Sequence, residues 1–552
     1  MPRQVEPPVS TVCGTAKPIS TVAVLSCAWP ALLLATVCLV PYLNKAFVVD
    51  DPYFLTLARQ IVKHPAHPMD FEICWNNMLG CTNMNQYASG NVLMGQVAQG
   101  YLLVPTVLGG AHEWIAHLTQ LVIAWIAVVA MTSLTFRFGW DRWHATVGAL
   151  LLVAIPPFLP MASTAMPDIL ATALTLVAME RLAAWRAEQK WGQGAAASIA
   201  LGLAALARPH LILLLGLGAF FLLDGVKPRE VLVQFRRKFW LWTPIVAGCG
   251  LLLAVILAVR EDIRAISAPP VASGARYIRD NLFTYLLYFA FPLPLAACWV
   301  ANRLNARRWL FVSILFAVAV IPKLLGLRWD LSLMLFLAVV SFGALADLFF
   351  EAAKGCDLTG LFLMLWILIP LPVVYYVHLP IKYVLPCMPA VILLCFRLLD
   401  DVSKRFARFA VVIVIVACTS YSFLILRSDA EYANFGREAL NELITPHVAA
   451  GESVWYPEQC CSYWYAALDG ARLTYPGGPQ PMPGDLLVMD RLILEDDPRL
   501  ERFPHRTLVG TTFHTYRFGR TVGLRLGGLY TGFWLWGFGD AENDRFELWR
   551  ID

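Results

Sequence analysis

Residues 21–59 read TVAVLSCAWPALLLATVCLVPYLNKAFVVDDPYFLTLAR. From Thr21 to Leu43 no charged residue interrupts an apolar run long enough to cross the roughly 30 Å hydrocarbon core of a bilayer. Backbone amides cannot stay unpaired in that solvent, so the run is expected to be a membrane-spanning helix. It lacks a convincing small-x-small cleavage site before Asp50 and is long enough to span, so an uncleaved anchor is expected in preference to a cleaved signal peptide. Directly beyond it come two adjacent carboxylates, Asp50 and Asp51, then Pro52, a residue favoured at the first position of a helix. Leu55, Leu57, Ala58, Ile61 and Val62 give that helix an apolar face, with Arg59, Gln60 and Lys63 polar, as expected of a helix lying along the membrane surface.

The same apolar signature recurs along the chain. Further windows lie near 115–136, 144–161, 167–186, 195–207, 209–223, 239–259, 282–301, 309–326, 331–349, 359–377, 383–399 and 407–426, so about thirteen spans are expected. The two short windows flanking Arg208-Pro209 read as a kinked pair. Composition agrees: 58% of residues are hydrophobic and 15% charged, against about 25% charged in a soluble domain. A formal net charge of +4 over 552 residues is too small to argue a nucleic-acid partner.

Basic residues cluster in alternate loops, at Arg137/Arg142, Arg186/Lys190, Lys227–Lys238, Arg303–Arg308 and Lys404–Arg408. The positive-inside rule then places residues 1–20 in the cytoplasm. An odd number of spans puts the last part of the chain outside. The expected organisation is a cytoplasmic tail (1–20), an all-α polytopic membrane domain (21–427) with a first outer loop at 44–114, and a small extracytoplasmic α/β domain (428–552).

In that last domain a helix is expected over 430–447 and another over 462–468. Strands are expected at 453–456, 472–475, 485–489, 507–518 and 545–551. Its aromatic run at 529–536 reads as core or a strand packed on the membrane domain, with contact to membrane or acceptor as the alternative. Most of the thirteen cysteines fall in spans, where they act as small hydrophobes. Cys74, Cys81, Cys460 and Cys461 would face the outside, with pairing open between Cys74–Cys81 and a bridge from the loop to the later pair.

Four ionisable sites share the outer edge. Taken alone, Asp50 and Asp51 read as a helix cap, and Asp168, in Ser163-Thr164-Ala165-Met166-Pro167-Asp168, as cap or site alike. Arg208 before Pro209 and Lys382-Tyr383 between Pro380 and Pro386 would singly be interfacial anchors. The outer loop 260–281 adds Arg260, Arg264, Arg276 and Arg279. Together they set carboxylates and cations around one vestibule, against the positive-inside trend. Binding a lipid phosphate while a carboxylate takes an acceptor proton needs that combination.

These residues lie in segments that resemble, in order, those of GT-C glycosyltransferases, in particular the protein O-mannosyltransferase and aminoarabinose-lipid A transferase group of bacteria. Asp50-Asp51 followed by Ala58-Arg59 is similar to the group's Asp-Glu…Ala/Ser-Arg signature in the first outer loop. Trp114-Ile115-Ala116-His117-Leu118 resembles the segment opening its second span, with His117 where Arg is common. Ala165–Leu170 resembles the acidic start of its fourth span, and Gly202–Pro209 its Gly-Leu-x-x-Leu-x-Lys/Arg segment. Lys382-Tyr383-Val384-Leu385-Pro386-Cys387-Met388-Pro389 resembles its Arg-Tyr-x-Leu-Pro-x-x-Pro helix start. The departures are Asp for Glu at 51, Lys for Arg at 382, and no counterpart in Ala88–Leu93 of the group's His/Lys-Pro-Pro stretch.

The resemblance implies transfer of a hexosyl or pentosyl group, with inversion, from a polyprenyl-phosphate sugar to a protein, lipid or glycan acceptor at the outer face of a bacterial inner membrane. It implies Asp50 as general base, Asp51 and Asp168 as its catalytic companions, and Arg59, Arg208, Lys382 and Tyr383 as donor-phosphate ligands. No cofactor is called for, and a divalent metal requirement stays open. His112 and His117 are five residues apart and diverge by about 140° on a helix, so they are not read as a zinc motif. The rival class is a transporter or flippase of lipid-linked glycans, which would favour ionisable groups near the midplane and repeated halves; neither is seen in the sequence.

Overall fold

The computed structural model describes residues 19–74, 96–222, 243–258, 275–288, 320, 329–355, 357–375, 379–400, 404–475, 477–490, 498–517, 519–522, 528–530, 535–537 and 544–552. Among these, six helices are long and apolar enough to cross a membrane: Thr21–Tyr42, Glu113–Arg137, Phe336–Lys354, Leu358–Tyr375, Ile381–Leu399 and Ala407–Ala449. The expected span 167–186 is the unbroken Asp168–Glu188 helix, and several others are helical but broken or short. Pro156-Pro157 divides the 144–161 window into Arg142–Ala154 and Phe158–Ala162. Pro209 separates Trp191–Ala207 from Leu213–Leu222, as its missing N–H and restricted neighbour require. Most of windows 282–301 and 309–326 lies outside the described residues.

The helical core centres on the Asp168–Glu188 helix, which packs against Glu113–Arg137 on one side and Trp191–Ala207 on the other. Ala197, Ala200, Ala204 and Ala207 are buried on one face of the Trp191–Ala207 helix, where small residues let backbones approach closely. The helix that begins at the acid pair runs from Asp51 to Lys63 and buries its Tyr53, Phe54, Leu57 and Ile61 face. It rests on Val97–Leu102. There a Cβ on Gly100 would lie 2.6 Å from Leu57 Cδ2, so any larger residue would have to displace the Leu57 side chain.

The last span and the expected 430–447 helix are one continuous 46-residue helix, Lys404–Ala449. No glycine or proline occurs between Lys404 and Phe435 to break it. At 1.5 Å per residue it is about 69 Å long, more than twice the hydrocarbon thickness. The expected boundary at 427/428 therefore falls within a helix that runs on into the C-terminal domain. All five expected strands are present: β1 Val454–Tyr456, β2 Arg472–Leu473, β3 Leu486–Asp490, β4 Arg506–His514 and β5 Asp544–Ile551. They form one sheet in the order β2-β1-β3-β5-β4. β1 is parallel to β2 and β3, and β5 is antiparallel to β3 and β4. The long helix packs on this sheet and on the Tyr463–Leu468 helix. At Gly436 a Cβ would fall 2.0 Å from Ser462 Oγ, so a larger residue there would likewise have to displace the Ser462 side chain.

Candidate active site

Four segments distant in sequence meet at helix ends. Asp50 stands before the Asp51–Lys63 helix but makes no side-chain cap to it. Asp168 opens its helix directly after Pro167. Pro209 forces the preceding Arg208 into extended backbone (φ −146°, ψ 120°), ending its helix and swinging the guanidinium toward Asp168. Lys382 and Tyr383 lie in a 3-10 segment, Ile381–Cys387, that starts after Pro380 and contains Pro386.

Two ion pairs result, one part-exposed and one buried. Lys382 Nζ lies 2.8 Å from Asp50 Oδ2; the lysine side chain is 2% exposed and the aspartate 36%. Arg208 Nη2 lies 2.7 Å from Asp168 Oδ1, with both side chains nearly inaccessible. Tyr383 links the pairs: its ring lies 4.4 Å from the Arg208 guanidinium carbon and 5.9 Å from Lys382 Nζ. The charges are near enough for Asp168 to act on Lys382 and Asp50 on Arg208. Arg208 Nε and Asp168 Oδ2 are buried without a hydrogen-bond partner among the described residues. A buried guanidinium with an unused donor is costly unless a further group meets it. The two cations thus each rest on a carboxylate, with one guanidinium donor unused among the described residues and the Asp50 carboxylate part-exposed. The cap reading of Asp50 and Asp168 is not what their side chains do.

Asp51 plays a different part. One carboxylate oxygen accepts from Val48 N at 3.1 Å, the other from Ala165 N at 2.7 Å, tying the acid loop to the turn before Asp168. Gln99 and Gln120 donate to the carbonyls of Ala165 and Met166 and complete that turn. Burial pushes the Asp51 carboxyl up to about 7, opposed by the nearby Lys45 charge and the two backbone bonds. The folded protein therefore keeps a proton that the unfolded chain releases near the ordinary value of 3.8. The stability this group contributes is present below that value and is lost as pH rises toward 7. Asp51→Asn abolishes this titration and puts an amide NH2 against one of the two backbone donors. Its melting temperature is expected to fall below wild type most at pH 5, with the gap narrowing toward pH 8. A gap that widens with pH would contradict the assignment.

Among the other sequence-derived candidates, Arg59 faces the C-terminal domain, its guanidinium stacked 4.1 Å over Trp464. His117 is buried, with Nδ1 2.9 Å from Leu43 O at the end of the first span. Arg279 is exposed and pairs with Asp280. Arg260, Arg264, Cys81 and the Ala88–Leu93 stretch lie outside the described residues. Cys74 sits against the Cys460-Cys461 loop through paired bonds with Gln459. Among the described residues no group of three or more His, Cys, Asp or Glu is placed to hold a metal ion.

The sequence reading missed Lys45, Asp429 and Tyr530. Lys45 and Asp429 form a fully buried ion pair, and Lys45 also donates to Ser163 O at 3.2 Å. Tyr530 donates its hydroxyl to Asp429, at 2.9 and 2.8 Å from the two carboxylate oxygens. The available signal was a charge beside an apolar window, alone at position 45 and between Arg427 and Glu431 at position 429.

No protein-family model and no curated protein sequence matches the chain. Solved structures with a similar course include ArnT from Cupriavidus metallidurans bound to undecaprenyl phosphate, at 14% identity and a TM-score of 0.49, covering 96% of this chain and 98% of that one. The apo state of ArnT gives a TM-score of 0.43 at the same identity and coverage. The arabinosyltransferase EmbB from Mycobacterium smegmatis gives 16% identity and a TM-score of 0.33, covering 78% of this chain and 43% of that one. With each of these three TM-scores below 0.5 the functional reading rests on the site instead.

Proposed function

We propose that the chain is an integral membrane glycosyltransferase that takes a sugar from a polyprenyl-phosphate donor at the outer face of a bacterial inner membrane. The carrying observation is the pair of buried cations, Lys382 and Arg208, each closed on a carboxylate at the helix ends. The donor phosphate would take over Lys382 from Asp50 and engage the unused Arg208 Nε. Exchange of one anion for another keeps the lysine compensated throughout. Asp50, released on its half-exposed side, is then placed to receive the acceptor's proton. The acceptor oxygen attacks the anomeric carbon, the bond from that carbon to the phosphate oxygen breaks, and the lipid phosphate leaves with the electron pair on the face opposite the attack. Inversion follows. A phosphate matched by two cations is already a good leaving group, so one base suffices and no general acid is needed.

Charge-assisted bonds to a buried phosphate are worth more than neutral ones. Lys382→Ala and Arg208→Ala are therefore each expected to weaken binding of polyprenyl phosphate to the purified protein by at least about tenfold, a loss of about 1.4 kcal/mol. Unchanged affinity in both variants would remove the phosphate assignment. Wild-type protein that moves lipid-linked sugar across vesicles but transfers none would favour the flippase class instead.

A further inference from the structure

The reaction proposed above uses Lys382 but does not account for what lies over it. The Tyr530 ring, from the C-terminal domain, sits 5.5 Å from Lys382 Nζ, within reach of a cation–π attraction. Tyr530 is 4% exposed. Its hydroxyl is held by both oxygens of Asp429, and Asp429 is fixed in turn by Lys45 and by the Thr521 hydroxyl at 3.3 Å. The ring is thus clamped by its polar end. An ordinary buried tyrosine needs a partner for its hydroxyl, which Asp429 supplies, but not an ammonium near its ring.

Two further groups near that ammonium are soft: Met166 Sδ at 3.4 Å and the Tyr383 ring at 5.9 Å. We infer that Tyr530 is a positioning residue that holds Lys382 for the donor phosphate, so that the C-terminal domain completes a site otherwise built by the membrane domain. The inference rests on the phosphate-binding reading of Lys382. When a phosphate replaces Asp50 as the lysine's anion, the rings of Tyr530 and Tyr383 stay in place and keep the ammonium at the pocket.

The test uses the full-length protein in lipid nanodiscs, with polyprenyl phosphate as the probe. Tyr530→Leu is expected to bind it about tenfold more weakly. Tyr530→Phe keeps the ring and should bind within about twofold of wild type while melting at a lower temperature, because Asp429 loses a donor. Leu529→Ala, in the same loop, serves as the packing control: it should melt lower without weakening the probe. Should Tyr530→Leu not fold, Tyr530→Phe with stepwise ring fluorination weakens the ring's negative face at nearly constant shape, and affinity should fall with each fluorine. Equal weakening by Leu529→Ala, or affinity indifferent to fluorination, overturns the inference. A separate readout is the rate of amine acylation at Lys382, followed by peptide mass spectrometry without any lipid. It should rise severalfold in Tyr530→Leu and stay near wild type in Tyr530→Phe. If wild type does not bind the probe, the phosphate reading has failed, and the acylation rates still decide whether Tyr530 holds Lys382; equal rates in all variants refute that too.

Discussion

Asp50→Asn is expected to lower sugar transfer by about 10²- to 10⁴-fold, the usual worth of a positioned general base. The substitution spares the architecture. The Asp51–Lys63 helix starts on the backbone carbonyl of Asp50, which accepts from Tyr53 N at 3.2 Å and Phe54 N at 3.4 Å, and the side chain makes no cap. What changes is the carboxylate facing Lys382. An amide cannot take the acceptor's proton, but it also no longer competes with a phosphate for the lysine. Transfer should therefore collapse while affinity for polyprenyl phosphate holds or rises. Membranes supplied with a labelled lipid-linked sugar pool, at matched expression, report the first quantity; purified protein reports the second. Normal transfer by the variant would make Asp50 a structural partner of Lys382 and locate the base elsewhere.

The second large effect concerns stability. Lys45→Met should destabilise the protein by about 3–5 kcal/mol, because it strands Asp429 as an uncompensated buried charge. Both side chains are at 0% exposure, so water cannot replace the lost partner. The Tyr530 and Thr521 hydroxyls that remain on Asp429 stabilise the carboxylate only in part. Adding Asp429→Asn removes the stranded charge, and the double variant should be milder than the sum of the two single changes, as expected of residues in contact. Thermal unfolding and protease resistance of the C-terminal domain would measure both. A loss under about 0.5 kcal/mol for Lys45→Met, the range of an ordinary surface change, would mean that the pair does not join the two parts of the chain.

Such contacts explain how legible the protein was. Elements whose signal is local could be read directly. The apolar run from Thr21, the helix opening at the acid pair and Pro52, the break at Arg208-Pro209 and the five short strands of the C-terminal domain all appear where their residues require. The last span and the 430–447 helix are two elements by their local signals and a single helix in the structure. Charged residues at 427–431 suggest a membrane boundary, and a helix crosses such a boundary without interruption when no proline or glycine stops it.

The roles of the charged residues were the part that could not be read. Asp50 and Asp168 each stand at a helix start, where an acid is favoured by the dipole whatever else it does. Pattern alone cannot separate a cap from a site. The chain by itself determined that carboxylates and cations would sit at helix ends, since proline and apolar runs dictate where helices stop. Only the tertiary structure decided that Asp50 meets Lys382, 332 positions away, that Lys45 meets Asp429, 384 away, and that Tyr530 closes over them. An ion pair depends on where two side chains end up in space. Nothing in local propensity carries that distance, whereas a charge buried by packing must find its partner or the fold loses more than it can spare.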